Sequence, residues 1–168
     1  VKSLLSGILL SATLLAAPIV NRDLLNGLEK SFTASLQSSD MEIFGYPTGV
    51  YISGVGVVFQ SELNLSYAPM VSPFQQVFSP EEKQRTHDKE LAHLPILKDR
   101  MRQLLLKSSV TLDTLPPGEL IVVGVKITHQ AWEDRTGFPD QIVMQGVKSK
   151  LMDAKLGRAP VDSAIREQ

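Results

Sequence analysis

ELIVVGVKITH, Glu119 to His129, sets Ile121, Val123, Val125 and Ile127 at every second position, with Leu120 and Val122 filling the alternate places of its first half. A period of two marks a strand, and apolar side chains on both faces place that first half in the middle of a sheet. Leu115-Pro116-Pro117-Gly118 precedes it as a turn, since two prolines can continue neither a helix nor a ladder. After it, Gln130 to Asp140 reads as a connection holding Trp132, Gly137 and Pro139, and Gln141 to Val147 returns as a second strand. Upstream, between Ile43 and Leu65, Val55, Val57, Phe59, Leu63 and Leu65 share one parity while Val50 and Ile52 sit on the other. A two-residue loop at Ser53-Gly54 reconciles them, in preference to one bulged strand. It makes a hairpin in which Ile52 faces Val55, Val50 faces Val57 and Thr48 faces Phe59.

Three segments carry the helical period. From Asn21 to Gln37, Leu24, Leu25, Leu28, Phe32 and Leu36 recur at steps of three and four, with Asn21 as cap and Ser38-Ser39-Asp40 as breaker. Ala68 to Pro80 is a proline-rich loop, and Ser79-Pro80-Glu81-Glu82 opens a second helix with proline in the first turn and acid near the positive end. Pro95 interrupts that helix, so either two helices meet near Leu94 or one helix bends. Leu94, Leu97, Met101, Leu104 and Leu105 form its apolar stripe, and Lys98, Arg100, Arg102 and Lys107 its water side. A short helix from Ser149 to Leu156 ends at Gly157. The order α-β-β-α-β-β-α, with short links between neighbouring strands, predicts an α+β domain. Its sheet is expected to have four to five strands, mainly antiparallel, with helices packed on it.

The opening residues, VKSLLSGILLSATLLAAPIV, carry one cation at Lys2, an uncharged apolar run from Leu4 to Ala17 and small residues before Arg22. This is the layout of a secretory signal peptide. As a helix the run covers about 21 Å, short of the roughly 30 Å a spanning segment needs. The expected division is a leader at 1–20, one domain at 21–157 and a loosely held tail at 158–168. The alternatives for the leader are an uncleaved membrane anchor or a mature amphipathic helix of a cytoplasmic protein. Membrane contact is expected only through this segment, if it is uncleaved.

At 168 residues the chain is long enough to bury a core without a metal or disulfide staple, and it has no cysteine. Thiolate metal sites, cysteine nucleophiles and lipidated cysteines are therefore excluded. Lys plus Arg number 17 against 18 Asp plus Glu, so no long-range field favours nucleic acid, and no nucleic-acid partner is expected. Gly54-x-Gly56 lacks the third glycine of a dinucleotide loop and runs on into a strand; no cofactor is expected.

Two clusters invite chemistry. In Thr86-His87-Asp88-Lys89-Glu90-Leu91-Ala92-His93 the histidines are six apart, about 240° around a helix, so they cannot share one ion. Glu90-x-x-His93 is half of a two-metal signature with no second copy, and the segment reads as a solvated charged face with no metal. His129, at the end of the best strand, is followed by Glu133 and Asp134. These three are the candidate catalytic residues, because a histidine beside carboxylates on a strand-end loop can move protons. The plainer alternative is a lid formed by Trp132 over a solvated turn at Glu133-Asp134-Arg135.

Gly49-Val50-Tyr51-Ile52, Gly56 to Leu65, Trp132-Glu133-Asp134 and Gln141-Ile142-Val143-Met144 together resemble a group of uncharacterised, exported bacterial proteins. The resemblance implies bacterial origin and export and carries over no functional residue. The leading expectation is an exported binding or cell-envelope interaction domain with a protein or small-molecule partner. The alternative is a hydrolase or other enzyme using His129, Glu133 and Asp134, with His87 or His93 brought close by the fold.

Overall fold

The computed structural model describes residues 20–67 and 78–168. The apolar run from Leu4 to Ala17 and most of the proline-rich loop lie outside the described residues. Nine elements follow in order: α1 (Arg22–Gln37), β1 (Glu42–Ile52), β2 (Gly56–Asn64), α2 (Pro80–Thr111), β3 (Leu120–Ile127), β4 (Gln141–Val147), α3 (Lys148–Lys155), α4 (Val161–Ala164) and β5 (Arg166–Glu167). The strands form one sheet in the order β1-β2-β3-β4-β5. The architecture is α+β, as the element order predicts.

The caps follow local chemistry. Asn21 accepts the Asp23 amide at 2.8 Å, and Ser79 and Glu82 close a reciprocal capping box on α2. Pro95 lies inside α2, which runs on through it as one helix of 32 residues. On either side of the proline, Glu90 and Leu97 are wholly buried, so packing outweighs the lost backbone bond.

The sheet is mainly antiparallel, as expected, with one parallel pair at its centre. The central pair β2–β3 is parallel, because α2 returns the chain to the end of the sheet from which β2 started; the β1–β2, β3–β4 and β4–β5 pairs are antiparallel. The hairpin loop has three residues, not two: Ile52 pairs with Gly56, Val50 with Val58 and Gly49 with Phe59. Gly54 takes φ of 76° in that loop, and a Cβ on Gly56 would lie 1.9 Å from the Leu120 carbonyl oxygen, so β3 can close on the turn only over glycine. A shift of one residue turns every side chain over. Val57 and Phe59 thus join the core while Val50 stands half exposed. At the C-terminal end β5 pairs with β4, and Glu167 meets Lys98 at 2.5 Å and Arg102 at 3.5 Å on α2.

The helices cover one face of the sheet. Val57, Phe59, Leu63, Ile121, Val123, Val125, Ile127, Ile142 and Met144 meet Leu28, Phe32 and Leu36 of α1 and Leu97, Met101 and Leu105 of α2 in a single core. The other face carries Val50, Val58, Val122 and Val143 among Gln60, Glu62, Lys126 and Gln141, and no described helix lies on it. Among the described residues, no helix is long and apolar enough to cross a membrane.

Candidate functional site

Because β2 and β3 are parallel, their carboxyl ends emerge side by side, the position where open sheets most often place ligands. Asn64 and Ser66 leave the end of β2, and Thr128 continues the ladder past β3 by donating its amide to the Leu63 carbonyl at 2.8 Å. His129 and Glu133 follow within one turn of chain. The first half of α2 passes over this end. Its apolar stripe of Leu97, Met101, Leu104 and Leu105, extended back by two turns through Leu94, lands on Glu90. The carboxylate therefore enters the interior on a helical phase otherwise reserved for leucine and methionine.

Glu90, His129 and Glu133 each present one ligand atom, and these atoms all lie within 4.8 Å of one another. Glu133 is firmly held: it accepts the Gln130 amide at 2.6 Å and the Asn64 side-chain amide at 3.1 and 3.3 Å. Asn64 is fixed in turn by the Ser66 amide, which donates to its Oδ1 at 3.0 Å. One oxygen of Glu90 accepts the Ser66 hydroxyl at 3.2 Å. Its Oε2 and the Nδ1 of His129 are both buried without a hydrogen-bond partner. His129 Nδ1 stands 3.7 Å from Glu133 Oε2, and the two side chains are 3% and 1% exposed. That separation is too long for a hydrogen bond.

The burial has electrostatic consequences. Removal from water pushes the Glu90 carboxyl up to about 7, and the neighbouring Glu133 charge adds to the rise; the Ser66 hydroxyl and His87 pull the other way. Burial also lowers the His129 imidazole below its ordinary value, helped by Arg135 and opposed by Glu133 and Asp140. A carboxyl that titrates near neutrality beside a neutral imidazole can give or take a proton under physiological conditions.

One aromatic ring lies against the cluster and others pack near it in the chain. Phe78 stacks on Trp132 with ring centroids 4.0 Å apart, and Phe138 lies 5.4 Å from His129 and 5.2 Å, edge-on, from His87. His129 also forms part of the wall of a cavity of about 370 Å³, shared with Thr128, Arg135 and Asp140.

Of the residues nominated from sequence, His129 and Glu133 come together and Asp134 does not join them. The Asp134 carboxylate is exposed and accepts the Thr136 amide at 2.9 Å, while its own carbonyl meets His87 Nδ1 at 3.2 Å. His93 is turned to the Leu65 carbonyl, 2.5 Å from its Nδ1. The histidines of α2 therefore stay apart, as their spacing requires. The solvated-face reading of Thr86 to His93 fails at Glu90, which has no exposed surface, and the solvated-turn reading fails at Glu133. Glu90, Asn64 and Ser66 were the residues missed. For Glu90 a signal existed, an acid on the core phase of an amphipathic helix; for Asn64 and Ser66 there was none.

No family model matches the chain, and no curated protein or solved structure matches it.

Proposed function

We propose that the protein is an enzyme of the hydrolytic class, with Glu90, His129 and Glu133 as its centre. The observation that carries this reading is the convergence of three buried ionisable side chains at the carboxyl ends of the parallel strand pair. Buried charge-bearing groups lower stability unless paired, so a cluster with two unpartnered polar atoms is more readily accounted for by chemistry than by packing. In this reading the centre holds a water and eases removal of its proton. Asn64 and the Gln130 amide hold the Glu133 carboxylate in place beside the imidazole, and the substrate enters from the cavity that His129 lines.

The test is hydrolysis of chromogenic esters, phosphoesters and peptides by the full chain. Turnover of one class is expected, falling at least about 100-fold in Glu90→Gln and in Glu133→Gln and unchanged in Asp134→Ala. Absence of turnover of any class by folded protein, or wild-type turnover in both glutamate variants, overturns the reading.

A second reading, an exported domain that binds a partner at the bacterial cell envelope, is favoured by one observation: β1 and its hairpin loop expose Phe44, Tyr46, Val50, Ile52 and Val55. Export itself is proposed from the composition of residues 1–20 alone.

A further inference from the structure

We propose that Glu90, His129 and Glu133 form a binding site for a single divalent transition-metal cation of the zinc or manganese kind. The inference rests on reading this cluster as a functional centre, and it adds what the centre holds. Three lines of geometry support it.

First, the donors are those such a cation takes. One imidazole nitrogen and two carboxylates suit borderline to hard divalent ions, and two carboxylates balance a charge of +2 in a site that water does not screen. The cysteine-free chain offers no thiolate alternative.

Second, the two atoms with nothing to bind, Glu90 Oε2 and His129 Nδ1, belong to side chains that are almost wholly buried. An acidic cluster alone would say little, because carboxylates often gather at surfaces. Buried atoms left unpaired in the same cluster are a separate observation, and an ion satisfies both at once. The 3.7 Å between His129 Nδ1 and Glu133 Oε2 is too long for a hydrogen bond and close to the ~3.4 Å edge of a tetrahedron with ~2.1 Å metal–ligand bonds. The full 4.8 Å spread closes with side-chain movements of about an ångström or less.

Third, the ligands are themselves held. Asn64 and the Gln130 amide fix Glu133, and Ser66 fixes the oxygen of Glu90 that the ion would leave free. Outer partners of this sort set ligand orientation in metal proteins. Three protein ligands leave a coordination position open, the arrangement of catalytic rather than structural sites.

The experiment is calorimetric titration of the full chain, stripped with chelator, with Zn2+ and separately Mn2+, alongside elemental analysis of dialysed protein and a circular dichroism check that each variant is folded. One equivalent is expected for the wild type with at least one of the two ions. Affinity should fall at least about 100-fold in Glu90→Gln and in His129→Gln, and about 10-fold or more in Asn64→Ala. Either ligand variant suffices if the other fails to fold. No saturable binding of either ion, affinity unchanged in the folded ligand variants, or binding that survives Glu90→Gln and vanishes in His87→Ala overturns the proposal. One equivalent of ion without hydrolysis keeps the site and removes the enzyme. Hydrolysis indifferent to chelation yet lost in Glu90→Gln keeps the catalyst and removes the ion.

Discussion

The two halves of α2 occupy the same helical phase and do opposite work. Beyond Pro95, Leu97, Met101 and Leu105 are wholly buried apolar side chains against the sheet. Before it, the same stripe carries Glu90, equally buried, against Asn64, Ser66, His129 and Glu133. One end of the helix is thus packed for stability, and the other gives up stability to hold polar groups out of water. Functional sites commonly stand where a locally consistent pattern is broken, and here the break is one carboxylate on a leucine position.

If that contrast is real, the two ends must respond in opposite senses to the loss of their central side chain. Leu105→Ala should cost about 2–5 kcal/mol through lost burial and an unfilled cavity, read as a fall in the urea midpoint with little change in slope. An effect below about 1 kcal/mol would mean that the distal half is not the anchor its burial implies.

Glu90→Gln should do the reverse in metal-free protein at alkaline pH. Its folded carboxyl titrates near 7 against an ordinary value of 4.5, so the folded state holds the proton more tightly than the unfolded chain. Stability is then unaffected below about pH 4.5, falls as pH rises from there to about 7 and stays low above, by on the order of 3 kcal/mol. The glutamine variant should lack that fall and be the more stable protein at pH 8. His129 acts on the acid side with the opposite sign: its imidazole is held below its ordinary 6.5, so stability is lost as pH drops beneath that value. Urea melts of both proteins at pH 5, 6.5 and 8 separate the two slopes. A stability difference between the glutamine variant and wild type that does not grow between pH 5 and 8 would remove the strained carboxyl.

Sequence periodicity read the apolar end of this helix well and the polar end poorly, for a physical reason. Leu97, Met101 and Leu105 announce their burial by type and spacing together. Glu90 has the spacing without the type, and acids flanked by Asp88 and Lys89 ordinarily face water. His129 and Glu133 were legible because they lie near each other in the chain, at the end of a strong strand. Their union with Glu90 depends on β2 and β3 running parallel. That in turn depends on α2 as a crossover, a tertiary fact that no local pattern carries. The hairpin register escapes the sequence pattern for a smaller reason. Two- and three-residue loops both place glycine near Gly54, and only the approach of Leu120 to Gly56 chooses between them.

A smaller effect should come from Asn64, which touches the centre only through Glu133. Asn64→Ala removes a donor to a buried carboxylate and the acceptor of the Ser66 amide, at a cost of about 1–3 kcal/mol. Asn64→Asp is the sharper variant, since it places a third negative charge against Glu133 and Glu90, and it should lose more than alanine at pH 8 and less at pH 5. Equal melting of the two variants across that range would show that charge is not what organises this end of the helix.

The smallest expected effect tests where the polar region stops. Asp134 follows Glu133 directly, yet its carboxylate is exposed and bonds only locally, to the Thr136 amide. The Thr136 side chain first, and the Thr136 amide second, hold its carboxyl below the ordinary range. Asp134→Ala should therefore leave stability within about 0.5 kcal/mol and leave zinc affinity and any hydrolysis as they are, while Glu133→Gln one residue away alters both. Adjacent acids with such unequal consequences follow if geometry rather than composition defines the centre. If the two substitutions prove equivalent in calorimetry, the boundary drawn between the buried carboxylate and its exposed neighbour is wrong, and the loop acts as a diffuse negative surface.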